Sequence, residues 1–160
     1  MSEKANPHRV RTSSLGAELY EDEAKILAGI MGVRHLQDGE LLVTEGGAEH
    51  TLFVLAEGKL TVIGNNDGKE TVLYTMAEGE CAGTRAFIDR TPRKATLRAL
   101  GAATVYTLAP DVFETLLDSH PRIVYKVMRA LFRVTHTNLM RVNEESQELA
   151  NYITKSHGRY

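Results

Sequence analysis

The sequence holds a single cysteine, Cys81, among 160 residues. One thiol excludes an internal disulfide and any zinc cluster of the four-cysteine kind. No apolar run approaches the roughly 18 residues that a membrane span requires. The opening segment, Met1 to Ser14, lacks the apolar stretch of a secretory signal. A cytoplasmic location and no membrane partner are therefore the default expectations. A basic excess is missing too: 19 Lys and Arg stand against 21 Asp and Glu, for a formal net charge of -2. Dedicated binders of nucleic-acid polymers usually carry a positive surplus. Catalytic signatures are equally scarce. No serine sits in a nucleophile elbow, no P-loop lysine is present, and no acid pair invites a hydrolase reading. The expectation is a protein that is not an enzyme.

What is present is an ordinary globular balance, 42% hydrophobic and 25% charged, which excludes wholesale disorder. The length suits one domain with a real core. Residues 1–15 are polar and mixed in charge and read as a flexible arm. From Gly16 to Met31, Leu19, Tyr20, Ile26, Leu27, Ile30 and Met31 recur at helical spacing. Between Val33 and Leu108 short β-rich runs alternate with turn residues: Leu41–Val43, Thr51–Leu55, Leu60–Ile63, Thr71–Tyr74, Ala95–Leu100 and Thr104–Leu108. Asn66-Asp67-Gly68 is a hairpin signal, because Asn and Gly tolerate positive φ. Many short strands at this spacing suggest a closed sandwich or barrel. Residues 16–120 thus read as one strand-rich domain with short flanking helices, Asp111–Leu117 among them.

Residues 121–160 read as a long helix. Pro121 is preorganised for a first turn, and no Pro or Gly interrupts before Ser156. Tyr125, Met128, Phe132, Thr135, Leu139, Val142, Ser146, Leu149 and Ile153 form a seam of heptad rhythm, as in a helix that pairs with another. A homodimer through this seam is expected, with packing against the parent domain as the other reading. A second face, Ile123, Val124, Val127, Leu131 and Val134, suits docking on the strand-rich domain.

The informative stretch runs from Gly79 to Thr96. Between Thr84 and Lys94 lie Arg85, Arg90, Arg93 and Lys94 against the one acid Asp89, a local charge of +3. Gly83 permits a close backbone approach. A short helical turn after it would aim free N–H groups at an anion. Arg93, after Pro92, could add a bidentate contact to a phosphate. The plain alternative is a solvated basic loop.

This segment resembles the phosphate-binding cassette of the cyclic-nucleotide-binding domains, a family that includes regulatory subunits of cyclic-AMP-dependent protein kinase and bacterial catabolite activators. Their cassette reads approximately Phe-Gly-Glu-Leu-Ala-Leu-Ile, a few residues, then Pro-Arg-Ala-Ala-Thr. Gly83 through Thr96 is similar to it without a gap, and the likeness extends from about Gly16 into the long helix. The resemblance implies a mainly β fold with flanking helices: a double-stranded β-helix, or β roll, of cupin-like jelly-roll type, plus a long C-terminal helix. It implies a small anionic nucleotide as ligand, cAMP or cGMP, held by Gly83, Thr84, Arg85, Ala86, Arg93, Lys94 and Ala95. In that scheme Arg93 pairs with the cyclic phosphate, and the N–H groups of Ala86 and Lys94 complete the anion hole. Gly47 and Gly58 match glycines that turn the roll's corners. Thr135, Thr137 or Asn138 of the long helix would touch the base. Ligand binding would then shift a population and reorient the C-terminal helices.

The departures are specific. The family glutamate that accepts from the ribose 2′-hydroxyl is Thr84 here. Threonine is shorter and neutral, and losing such a partner costs roughly 1–3 kcal/mol, about tenfold to hundredfold in affinity. Thr84 equally suits a helix N-cap. The Phe before the glycine is Ala82, and the usual Leu is Arg85. Arg85 reads either as a surface or salt-bridging residue or as a second cation meeting extra ligand charge. Catabolite activators carry a helix-turn-helix after the long helix, and this chain stops at Tyr160, so no sequence-specific DNA binding is expected. Two other classes stay open. One is a dimeric scaffold that kept the fold and lost the ligand. The other is a metal-dependent cupin enzyme using Glu49, His50 and Glu57, although no His-x-His pair supports it.

Overall fold

The computed structural model describes residues 3–156, with side chains through residue 137 and at Met140. The first helix, α1 (Pro7–Thr12), falls inside the stretch expected to be a flexible arm. Asn6 caps it by accepting from the His8 N–H at 2.8 Å, and Pro7 sets the first turn. Val10 and Leu15 are fully buried, Arg9 Nη1 donates to the Ala56 carbonyl at 2.6 Å, and Ser14 N donates to the Gly79 carbonyl at 2.8 Å. The arm is therefore a docked element. Ala5, Val10 and Leu15 are too widely spaced to show a period, yet all three are buried in the core. The next helix, α2 (Glu21–Gly29), starts later than the apolar spacing suggests, where Glu23 Oε1 accepts from the Tyr20 N–H at 2.8 Å.

Eight strands follow. They are β1 (Gly32–Leu36), β2 (Leu41–Val43), β3 (Leu52–Glu57), β4 (Leu60–Asn66), β5 (Lys69–Met76), β6 (Cys81–Ala82), β7 (Thr96–Ala99) and β8 (Ala103–Leu108). They form two antiparallel sheets of order β1-β8-β3-β6 and β2-β7-β4-β5. This is the expected β-roll architecture with flanking helices. Two strands escaped the sequence pattern. In β1 the exposed Arg34 and His35 mask the alternation, and β6 is only two residues long. The hairpin signal holds: Asp67 (φ 54°) and Gly68 (φ 80°) form the two-residue turn between the paired Asn66 and Lys69.

Strand β3 is buried on both faces. One face, with Phe53 and Leu55, joins Leu36, Leu42, Leu60, Leu97 and Val105 between the sheets. The other, with Leu52 and Val54, packs with Tyr106 and Leu108 under the helices. A helix α3 (Thr84–Asp89) follows β6, and the expected helix over Asp111–Leu117 divides into α4 (Pro110–Glu114) and α5 (Leu116–Ser119). The last helix, α6 (Pro121–Ser156), begins at Pro121 as expected. Its face of Ile123, Val127 and Leu131 is buried on the β domain. Lys126 Nζ meets Glu23 Oε1 at 2.6 Å and Arg133 Nη1 meets Glu18 Oε2 at 2.9 Å, tying α6 to the segment around α2. Tyr125, Met128 and Phe132 of the expected seam are exposed. Leu139, Val142, Ser146, Leu149 and Ile153 lie outside the described side chains. Among the described residues, no helix is long and apolar enough to cross a membrane.

The docked arm has a direct test. Leu15→Ala should lower unfolding stability by about 2–5 kcal/mol in denaturant titration, the usual cost of truncating a buried leucine. A loss below about 0.5 kcal/mol, the scale of surface substitutions, would return residues 1–15 to the flexible class.

Candidate anion-binding site

The site begins with one glycine. Gly83 takes the left-handed conformation (φ 85°) that opens α3, and a Cβ there would collide with Arg93 Nη1 and approach the Thr51 carbonyl at 3.1 Å. Only glycine meets both demands without strain. Gly83 is thus the N-cap and Thr84 the first helical residue, so the capping role considered for Thr84 does not hold. The first turn leaves the N–H groups of Thr84, Arg85 and Ala86 without intrahelical acceptors. The helix ends at Arg90, which also adopts positive φ (58°) and reaches Glu114 Oε1 at 2.9 Å and Asp111 Oδ1 at 3.5 Å.

Arg93 lies at the centre. Its backbone is clamped by Gly46 and Gly47: Arg93 N donates to the Gly47 carbonyl at 2.9 Å, and Gly46 N donates to the Arg93 carbonyl at 2.8 Å. Gly47 itself does not take positive φ; that conformation belongs to Gly46 (φ 84°), while Gly58 (φ 88°) does turn left-handed against the Ala102 carbonyl. The Arg93 side chain is only 4% exposed. Nη2 donates to Glu49 Oε2 at 2.7 Å and to the Thr51 carbonyl at 2.6 Å, and the guanidinium lies over the Phe53 ring at 5.1 Å. Its Nε and Nη1 are buried with no acceptor among the described residues. A buried cation with donors to spare is an arrangement that asks for an anion.

Glu49 is the partner that sequence reasoning did not assign to this site. Its Oε1 accepts from the Thr51 N–H at 2.5 Å while Oε2 holds Arg93. Burial works to raise its pKa, but hydrogen bonds from Thr51 and Arg93 and the Arg93 charge outweigh it, and the net shift is downward. Glu49 is thus spent on an arginine. Among the described residues no group of three or more His, Cys, Asp or Glu could hold a metal ion. Burial pushes the Cys81 thiol up to about 12 despite a backbone hydrogen bond at Leu15, so the side chain stays a protonated thiol at neutral pH.

A cavity of about 520 Å³ adjoins this pair, lined in part by Arg34, Glu49, Thr51, Phe53, Arg93 and Thr107. Among the described residues of the expected nucleotide site, Arg93 alone lines it. Gly83 touches Arg93 from the other side, and Thr84 is half-buried beside it in sequence. Arg85 is exposed and has no ion-pair partner among the described residues; Ala86 is buried, Lys94 exposed and Ala95 half-buried. Thr135 and Thr137 are solvent-exposed on α6, and neither lines the cavity. The Asn138 side chain lies outside the described residues. Arg34 lines the cavity although nothing in the cassette pointed to it; its place on the edge strand β1 came only with the fold.

Comparison with known proteins supplies the family. The family described as the cyclic nucleotide-binding domain matches residues 33–120, more than half of the chain. The chain belongs to that family. Within it, the chain is 31% identical over 125 residues to glutaminase 1 of Bradyrhizobium diazoefficiens, covering 78% of this chain and 20% of that protein. It is 29% identical over 101 residues to the cAMP-dependent protein kinase regulatory subunit of Yarrowia lipolytica, covering 63% and 26%. The chain thus spans only about a fifth to a quarter of these two relatives. A solved cyclic nucleotide-binding domain from Methylobacillus flagellatus superposes with a TM-score of 0.78 at 21% identity, covering 86% of this chain and 78% of that one. That likeness supports the fold alone.

The Glu49–Arg93 contact carries a pH signature. Glu49's folded pKa is depressed, so its contribution to stability is present above the unfolded carboxylate range and is lost as pH falls through the folded pKa. Urea midpoints measured across the acid range should fall less steeply for Glu49→Gln than for the unaltered protein. Parallel curves would remove the pair as a stabilising contact.

Proposed function

We propose that this chain is a regulatory module that binds a cyclic nucleotide, cAMP or cGMP, through the segment Gly83–Thr96. The observation that carries the reading is Arg93: nine-tenths buried, set against the glycine that opens α3, with two donor nitrogens lacking acceptors. A phosphodiester monoanion matches that demand in charge and in acceptor number. The relative named as a cAMP-dependent kinase regulatory subunit supports the same ligand class. Backbone N–H groups at Ala86 and Lys94 complete the anion hole. Thr84 offers the ribose a neutral hydroxyl where the family offers a carboxylate, so binding is weak. Exposed Arg85 is free to meet added negative charge.

The response passes to the helices. Arg90 at the end of α3 is ion-paired to Glu114 of α4, and the Phe87 and Phe113 rings lie 5.6 Å apart. A shift of α3 therefore moves α4 and the helices that follow. The exposed Tyr125, Met128 and Phe132 of α6 favour a homodimer as the carrier of the output.

Calorimetric titration with both cyclic nucleotides is the test. Weak binding should strengthen about tenfold to hundredfold in Thr84→Glu, as a restored carboxylate takes the ribose hydroxyl. No heat at millimolar nucleotide from either protein would overturn the ligand reading and leave the scaffold reading standing. The dimer is tested separately by light scattering across a dilution series. A concentration-independent monomer mass would refute it, and Phe132→Glu should dissociate it.

A further inference from the structure

The cassette arginine is already engaged by an acid, and that acid does not come from the cassette. We propose that Glu49 is a resident anion on Arg93, so that a ligand phosphate binds by displacing the Glu49 carboxylate. The inference rests on the anion reading of Arg93 and deepens it by naming the residue that sets affinity.

The charge arithmetic leads to exchange. Arg93 is a buried cation, and a buried cation needs a counter-charge. Glu49 supplies it at 2.7 Å, and no other ion pair is made by Arg93 among the described residues. The first helical residue of α3, Thr84, brings no charge. A phosphodiester and a carboxylate each carry one negative charge, so replacing one by the other keeps the site neutral. Holding both on Arg93 would set two anions against the one buried guanidinium, which like-charge repulsion opposes, and the cavity's other arginine, Arg34, is solvent-exposed. The donors point the same way. Both hydrogens of Nη2 are used, one by Glu49 Oε2 and one by the Thr51 carbonyl. Nε and Nη1 are buried, so an incoming anion meets the guanidinium on the side that Glu49 now covers.

Glu49 has somewhere to go. Its side chain is 52% exposed, and it borders the cavity of about 520 Å³. Once released it enters water, where a carboxylate loses little. The opposite holds for the Arg93 side chain, which is 4% exposed and lies against Gly83 and over the Phe53 ring. The carboxylate is therefore the mobile partner and the guanidinium the fixed one. Selectivity follows from the same exchange: a ligand without negative charge has nothing to trade for Glu49.

The test uses the full chain, its Glu49→Gln and Glu49→Ala variants, and three probes: cAMP, cGMP and inorganic phosphate. Thermal melts establish that each variant is folded. Displacement predicts that phosphate, and whichever cyclic nucleotide binds, is held about tenfold to hundredfold tighter by the variants, the scale of one charge-assisted hydrogen bond. Equal or weaker binding by a folded variant overturns the proposal. If neither nucleotide binds any protein while phosphate binds the variants more tightly, the displacement stands and the cyclic-nucleotide reading fails. A second measurement needs no variant. Carbon-detected titration of the Glu49 carboxyl should move up toward the ordinary carboxylate value when phosphate is added at saturation, and an unmoved titration overturns the proposal.

Discussion

One buried guanidinium joins most of what positions this site. Arg93 reaches two separate parts of the chain at once, residues 46–53 and Gly83. Its backbone is paired with the Gly46-Gly47 turn, and its tip lies against Gly83. Its Nη2 bridges Glu49 and Thr51, and its face covers Phe53 of β3. Burying a charge to 4% exposure is costly unless each of these partners is in place. The same cost makes the site specific: the residue that fixes the loop is the one with unspent donors.

Around that point the fold has an inner and an outer half. The inner half is the apolar space between the two sheets, closed by Leu36, Leu55, Leu60, Leu97 and Val105. The outer half packs α1, α2 and the start of α6 on the far side of β3. Helix α3 belongs to the outer half through Phe87 and borders Arg93 through Gly83. It is therefore the element that touches both the arginine and the helical layer. Arg90 and Phe87 add an ionic and an aromatic contact with α4.

The site was legible in sequence to the extent that it is local. Gly83, Arg93 and the turn between them lie within eleven residues, and backbone chemistry at that range shows in the residue types. Asp67-Gly68 was legible for the same reason, since a two-residue turn declares itself by the φ angles it needs. Glu49 was not legible as a partner of Arg93, because 44 residues separate them and an acid in a loop carries no mark of its counter-ion. Strand β1 was hidden because Arg34 and His35 interrupt its alternation. The arm was misjudged because its buried apolar residues, Ala5, Val10 and Leu15, are scattered through a polar stretch, and their burial depends on a surface made by distant strands.

By itself, then, the sequence determined a strand-rich domain, the start of the long helix and, through the resemblance its cassette carries, the β-roll class. Each of these is written in neighbouring residues, as spacing, turn propensity or a contiguous motif. Tertiary structure decided what surrounds Arg93, which residues line the cavity beside it, and that the first helix is part of the core. Those outcomes depend on long-range pairing in two sheets, which brings Glu49, Arg34 and Arg93 to one cavity from three different parts of the chain. The identity of a counter-ion is a property of that meeting, and it exists only once the strands have paired.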